Sequence, residues 1–308
     1  MNIYLPIAEM SVPIYVFVAM GAAVGFLSGM FGVGGGFLMT PLLILYGVPS
    51  PIAVGTETAQ IVAASVSGTL AQWRRRNIDI KMGTVLLAGG LVGSVLGVQA
   101  VKLLRQGGQF DLVVTLCYVV MLGVVGTLML IESVSAIRRS WAGKPISARR
   151  PGQHNWLHGL PFKTRFHRSK LYISVIPPLL LGVFIGLLSG IMGVGGGFIL
   201  VPAMIYLLRM PTNIVIGTSL YQIVFVTAAT TIMQATWNHT VDLVLAILLM
   251  AGGVVGAQFG AAAGAKLKGE ELRFLMAGIV LLVAMRMAYS LFAHPSEIYA
   301  IGPPVEER

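Results

Sequence analysis

The chain has 308 residues, 56% of them hydrophobic and only 10% charged, with a mean hydropathy of +0.85. Its formal charge of +10 comes from 21 Lys and Arg against 11 Asp and Glu, and most of the basic residues stand in loops beside apolar runs. That pattern excludes a nucleic-acid partner and predicts an all-α polytopic membrane protein.

In chain order, Met1–Ser11 has no Lys or Arg and carries Glu9, so no cleavable leader is expected. Val12–Met30 is apolar enough for a helix, with Gly21 an ordinary interior position that should accept Ala with little effect. It runs into Gly32-Val33-Gly34-Gly35-Gly36-Phe37. Glycine costs roughly 1 kcal/mol against Ala in a helix interior, so the helix should break there. Thr40-Pro41 reads as the cap and first turn of a short return helix to about Tyr46, before Pro49 and Pro51 break the chain again. Full spans follow at Ile52–Trp73, Met82–Val101 and Leu112–Ile131, separated by Arg74-Arg75-Arg76-Asn77 and by Lys102, Arg105 and Asp111. Cys117, the single cysteine, lies within an apolar run and reads as a core residue.

Residues 136–171 form a basic, Pro-, Gly- and His-containing linker, with an amphipathic surface segment expected around Trp156–Phe166. His154 and His158 have helical spacing but no Cys or acidic companions, so no metal is expected. After it the chain repeats itself. Gly186–Pro202 matches Gly25–Pro41 at an offset of 161 residues, including Gly193-Val194-Gly195-Gly196-Gly197-Phe198. Gly217-Thr218 and Gln222 match Gly55-Thr56 and Gln60 at 162, while Asp242 and Gly252-Gly253 match Asp79 and Gly89-Gly90 at 163. The last span expected is Leu272–Leu291. Three domains result: a first membrane repeat over 1–135, the linker over 136–171 and a second repeat over 172–308.

Charge sets the expected orientation. With the linker cytoplasmic, all but four of the 21 Lys and Arg fall inside, the exceptions being Lys102, Arg105, Arg286 and Arg308. The bias holds only if each glycine segment enters and leaves on one side. Each half is then a re-entrant hairpin plus three spans, which inverts one half relative to the other. One tension remains: about 27 Å of first helix faces a much shorter return leg, which calls for a tilt or a partly extended return.

The run from Gly25 to Pro41, its echo at 186–202, Val54-Gly55-Thr56, Ile216-Gly217-Thr218 and Arg75-Arg76-Asn77-Ile78-Asp79 together resemble the TauE/SafE family of sulfite exporters, also described as toluene sulfonate uptake permeases. The resemblance implies a multi-pass carrier of the bacterial inner membrane, moving sulfite, sulfonates such as sulfoacetate, or related sulfur-containing anions, with export the expected direction. The long linker, and Glu57 where the second half has Ser219, depart from a simple doubled pattern.

The residues have their own chemistry. Glycine turns expose backbone N–H groups, and a following helix adds a positive dipole end, so Gly34, Gly35, Gly36 and Phe37 with Gly195, Gly196, Gly197 and Phe198 are the expected anion site near the midplane. Close helix packing is the competing reading of the same glycines. Thr56 and Gln60, like Thr218 and Gln222, lie four apart on one helix face and could donate to sulfonate oxygens or simply bridge helices. Gln72 and Gln234 suit packing or capping, Asp79 and Asp242 suit helix N-termini, and Trp73 and Trp237 suit interfacial anchors. Glu57 and Arg286 are ionisable at depth: either they pair, or Arg286 attracts the anion while Glu57 carries a proton, the candidate coupling ion. No nucleophile–base pair or cofactor motif is present, so no enzyme and no cofactor is expected. Two alternatives stay open, an anion channel and a membrane scaffold or sensor acting through the linker; a homo-oligomer is compatible with all of them.

Overall fold

The computed structural model describes residues 2–31, 36–141, 161–166, 168–169, 171–208, 210–264 and 269–292. Ten α-helices dominate it, five in each half. The first half opens with a β-hairpin, β1 (Asn2–Leu5) and β2 (Met10–Pro13), followed by α1 (Ile14–Phe31), α2 (Gly36–Tyr46), α3 (Ser50–Arg74), α4 (Ile80–Gln106) and α5 (Phe110–Trp141). The second opens with β3 (Lys163–Phe166) and β4 (Leu171–Ser174), then α6 (Ile176–Met192), α7 (Gly197–Tyr206), α8 (Thr212–Met233), α9 (Leu243–Gly264) and α10 (Gly269–Phe292). Among the described residues five helices are long and apolar enough to cross a bilayer, so the chain is an all-α polytopic membrane protein, decorated with two small antiparallel hairpins.

Corresponding helices pack across a two-fold relation. α1 lies along α9 and, equivalently, α6 lies along α4; α3 packs on α8, and α5 on α10. The α3–α8 pair is antiparallel: Thr58 meets Thr231, and Gly68 faces Leu220. α3 and α8 hold the same place in their halves, so this antiparallel pairing is the one that inverted repeats would give. The α1–α9 and α4–α6 seams are instead parallel and close. A Cβ on Gly25 would stand 2.6 Å from the Cα of Gly253, and one on the equivalent Gly186 would stand 2.9 Å from the Cα of Gly90. Only hydrogen fits between these backbones.

Gly21 belongs to the same seam, which corrects the expectation of an ordinary helix position: a Cβ there would lie 2.6 Å from the carbonyl oxygen of Leu249. The helix's sequence gave no hint, because the partner is more than two hundred residues away. Gly256→Ala, aimed at the backbone of Ala22, is expected to destabilise the fold by about 1–3 kcal/mol. Gly123→Ala, with nothing within 4 Å of the added methyl, should be neutral or slightly stabilising. Thermal midpoints of the purified protein in detergent check the contrast.

The two legs of each helical pair differ in length, as expected. α2 has 11 residues against 18 in α1, and α7 has 10 against 17 in α6. Leu5, Ala8 and Val12 of the first hairpin are buried in one core with Val48 and Ile52 at the α2–α3 turn. Phe166 and Ile173 of the second pack with Leu208, Met210 and Val215 at the α7–α8 turn. The turn after each short return leg thus shares a core with a hairpin, while Tyr46 and Tyr206 at the ends of the legs stay exposed. β3–β4 and the run of α5 to Trp141 also mean that the expected edges of the linker, after 135 and after 171, fall inside a helix and a strand. His154, His158 and residues 156–160 of the expected surface segment lie outside the described residues, and 163–166 form β3.

Candidate functional site

The two glycine breaks bring their flanking helices to one place. Gly34 and Gly35 lie outside the described residues; Gly36 and Phe37 begin α2 and are buried. In the second half the break is fully described. α6 ends at Gly193 (φ 72°), Gly195 and Gly196 follow with φ of 68° and 75°, and α7 starts at Gly197. Three left-handed residues within four positions favour glycine, because a Cβ there presses on the following carbonyl. No side chain caps α7, so its first-turn N–H groups have no side-chain acceptor.

The rings of Phe37 and Phe198 stack face to face, centroids 4.3 Å apart and planes 9° from parallel. They hold equivalent positions in the two copies of the glycine motif. Both tips also converge on Ile61 of α3: a Cβ on Gly36 or on Gly195 would press into that side chain. The expected anion-binding stretches are thus neighbours in space.

Thr40-Pro41 differs from its expected role. α2 starts at Gly36, so Thr40 and Pro41 lie inside the helix rather than at its cap, and Pro202 lies inside α7 in the same way. Each proline lacks the N–H that would reach back four residues, which frees the carbonyls of Phe37 and Phe198 from that bond. The glycine, conformationally free, starts the helix earlier than a Thr-Pro cap would.

Thr56 and Thr218 are engaged in a matched pair of bonds between halves. The Asp242 N–H donates to the Thr56 hydroxyl at 3.0 Å, and the Asp79 N–H donates to the Thr218 hydroxyl at 3.0 Å. The aspartates cap α4 and α9, accepting from Met82 N–H at 3.2 Å and Leu245 N–H at 3.1 Å. Their second carboxylate oxygens hold the opposite half's hairpin: Asp79 accepts from the Ser169 N–H and hydroxyl, Asp242 from the Ile7 N–H. Cap placement was legible from sequence; the cross-links were not, because their partners lie far off in the chain. Thr56→Val and Thr218→Val each remove the acceptor of a buried N–H. Each is expected to cost about 1–3 kcal/mol, read as a fall in thermal midpoint, and the two should add because the sites are separate.

Gln60 and Gln222 remain available. Among the described residues, the Gln60 Oε1 and both polar atoms of the Gln222 amide are buried without a hydrogen-bond partner. Gln222 reaches the notch at Gly90, and Gln60 the notch at Gly253, in matched positions. Gln234, by contrast, is consumed by packing, donating to the Gly190 carbonyl and accepting from Asn238. Gln72 accepts from Asn77. Trp73 and Trp237 are half exposed, as interfacial anchors would be.

The structure does not bring Glu57 and Arg286 together. Glu57 is fully buried in α3, and neither carboxylate oxygen has a partner among the described residues. Arg286 is on the exposed face of α10, its guanidinium 6.0 Å from the centroid of the Tyr289 ring. The ion-pair option is therefore corrected: α10 turns Arg286 outward, a direction that span boundaries alone do not reveal. Tyr118, whose hydroxyl donates to the Met192 carbonyl at 2.6 Å and stands close to Thr40, is near enough to Glu57 to feel its charge. Tyr118 lay unnoticed in an apolar span. This cluster is one-sided: the counterparts of Thr40 and Glu57 are Val201 and Ser219, and Ser219 simply donates to the Ile216 carbonyl.

Comparison with known proteins agrees with the membrane architecture. The family model described as "Sulfite exporter TauE/SafE" matches residues 17–287. The chain is 27% identical over 270 residues to "Probable membrane transporter protein YjnA" of Bacillus subtilis, a match covering 88% of this chain and 98% of that protein. It is 30% identical over 242 residues to a "Probable membrane transporter protein" of Xylella fastidiosa, covering 78% and 80%. It is also 23% identical over 284 residues to "Probable membrane transporter protein MJ0441" of Methanocaldococcus jannaschii, covering 88% and 93%. No solved structure matches it.

Proposed function

The chain belongs to the TauE/SafE family of sulfite exporters, and from that membership we propose that it is a secondary carrier of small sulfur-containing anions, sulfite or organosulfonates, working in the export direction. That it is a membrane transporter and not an enzyme follows from the family and its relatives. The observation supporting the finer reading is the meeting of the two glycine-broken tips at the Phe37–Phe198 stack, together with the buried Gln222 amide and Gln60 Oε1, which have no hydrogen-bond partner among the described residues. Uncapped helix starts and amide N–H groups are donors, and tetrahedral or pyramidal oxyanions present several acceptors.

In this reading the anion sits between the tips, held by the backbone of Gly34–Gly36 and Gly195–Gly197 and by the Gln60 and Gln222 amides. The Thr56 and Thr218 hydroxyls keep the halves in register. Antiparallel α3 and α8 are the arrangement of inverted repeats, whose rocking about a midplane site would expose it to either face in turn. The linker is cytoplasmic, both termini are outside and the membrane is the bacterial inner membrane, as the placement of Lys and Arg favours. Glu57 takes up the proton that couples turnover.

A ligand screen on the purified protein tests the substrate class. Sulfite, sulfoacetate, taurine, thiosulfate and sulfate are compared by thermal stabilisation, where ligand at a hundred times its Kd adds about 2.7 kcal/mol. At least one sulfur oxyanion is expected to stabilise. Stabilisation by carboxylates or phosphate alone would contradict the assignment.

A further inference from the structure

Lys102 and Arg105 stand one turn apart near the end of α4, the face that the orientation above puts outside, where few other basic residues fall. With Gln106, Trp237 and Asn238 they line a surface cavity of about 350 Å³. No acidic side chain lines it, and among the described residues neither cation makes an ion pair. Two like charges side by side without a counter-charge attract an anion. The other wall is the π-turn Gln234–Asn238 that ends α8, a distortion often found at functional sites.

A chain of hydrogen bonds runs inward from this cavity. Arg105 Nη1 donates to the Asn238 carbonyl at 2.9 Å, Asn238 Nδ2 donates to Gln234 Oε1 at 2.7 Å, and Gln234 Nε2 donates to the Gly190 carbonyl at 3.0 Å. Gly190 lies in the last turn of α6, directly before the break at Gly193. The π-turn thus joins the wall of the cavity to the second glycine tip.

We propose that the Lys102–Arg105 cavity is a second, external anion site of the carrier, binding small organosulfonate or sulfite-like oxyanions at the outer mouth. The proposal rests on the transport reading above. Occupation of the cavity bears on Arg105, whose bond to Asn238 is the first link toward the tip. The remaining guanidinium N–H groups, the Lys102 ammonium, the Gln106 amide and the Trp237 indole N–H supply donors without backbone rearrangement.

Protection from chemical labelling tests it. Gln106→Cys is introduced with Cys117→Ala, so that the added thiol is the only one, and is labelled with a membrane-impermeant maleimide on intact spheroplasts. Sulfoacetate is the probe, because sulfite and thiosulfate would themselves react with the maleimide. External sulfoacetate is expected to slow labelling in a saturable manner, while potassium gluconate at equal ionic strength does not. Lys102→Gln, which breaks no hydrogen bond among the described residues, should raise the half-protecting concentration about tenfold. Arg105→Gln should do at least as much. Equal slowing by gluconate, saturable protection that survives Lys102→Gln and Arg105→Gln together, or a thiol unreachable from outside would each overturn the external site. Counterflow of labelled sulfoacetate, measured on the same proteins, separates the two levels. Counterflow without protection removes this site and leaves the carrier, whereas protection without counterflow keeps the site and removes the carrier.

Discussion

Replacing Glu57 with Gln is expected to abolish anion accumulation driven by a pH gradient while leaving exchange of anion across the membrane intact. Gln keeps the shape and hydrogen-bonding capacity of the side chain and removes only its charge. Glu57 is fully buried at bilayer depth, and no described residue gives either oxygen a hydrogen bond or an ion pair. An ionised carboxylate there needs a counter-charge, which no described residue supplies; a mobile cation, the proton first, is the natural partner. The one-sided cluster argues the same way. The proposed substrate groups are doubled between the halves, as with Gln60 and Gln222, whereas a coupling group has to occur only once. Since Arg286 is elsewhere, Arg286→Gln should neither rescue nor mimic Glu57→Gln. Uptake of tracer into proteoliposomes under an imposed pH gradient checks this, and unchanged accumulation in Glu57→Gln would end the proton role.

Gly196→Val should abolish anion binding. The residue sits at φ 75°, where a β-branched side chain is strained by about 1–2 kcal/mol, and its Cβ would press on the Cγ2 of Ile185. The valine also covers the uncapped start of α7, so the site's own donors are screened. Ile185→Ala opens space for the new side chain without restoring those donors. In the double variant, recovery of the thermal midpoint without recovery of binding is the expected outcome. A folded Gly196→Val protein that binds normally would show the glycines to be packing residues.

Helices were legible in the sequence from their apolar runs, and for α1–α4 and α6–α9 because the duplication supplies a second reading. Gly32–Phe37 and Gly193–Phe198 identify the breaks, and Asp79 and Asp242 identify the starts of α4 and α9. The β-hairpins were not legible. Residues 2–13 and 163–174 fill the same place with unlike residues, and strands of four residues carry too short an alternation to register. What Thr56 and Thr218 bind, which way Arg286 points and what Gly21 touches all depend on partners across the two-fold relation. Spacing along one helix says which residues share a face, and nothing about the element that face meets.

Counterflow tests the central claim most directly. Purified protein is reconstituted in proteoliposomes preloaded with unlabelled sulfite or sulfoacetate, and a trace of labelled anion is added outside. A carrier with one site reached alternately from each face predicts a transient accumulation of label above its equilibrium level, raised by the internal anion and absent from empty vesicles. Label that rises smoothly to equilibrium at a rate indifferent to the internal anion would contradict the carrier and indicate a channel.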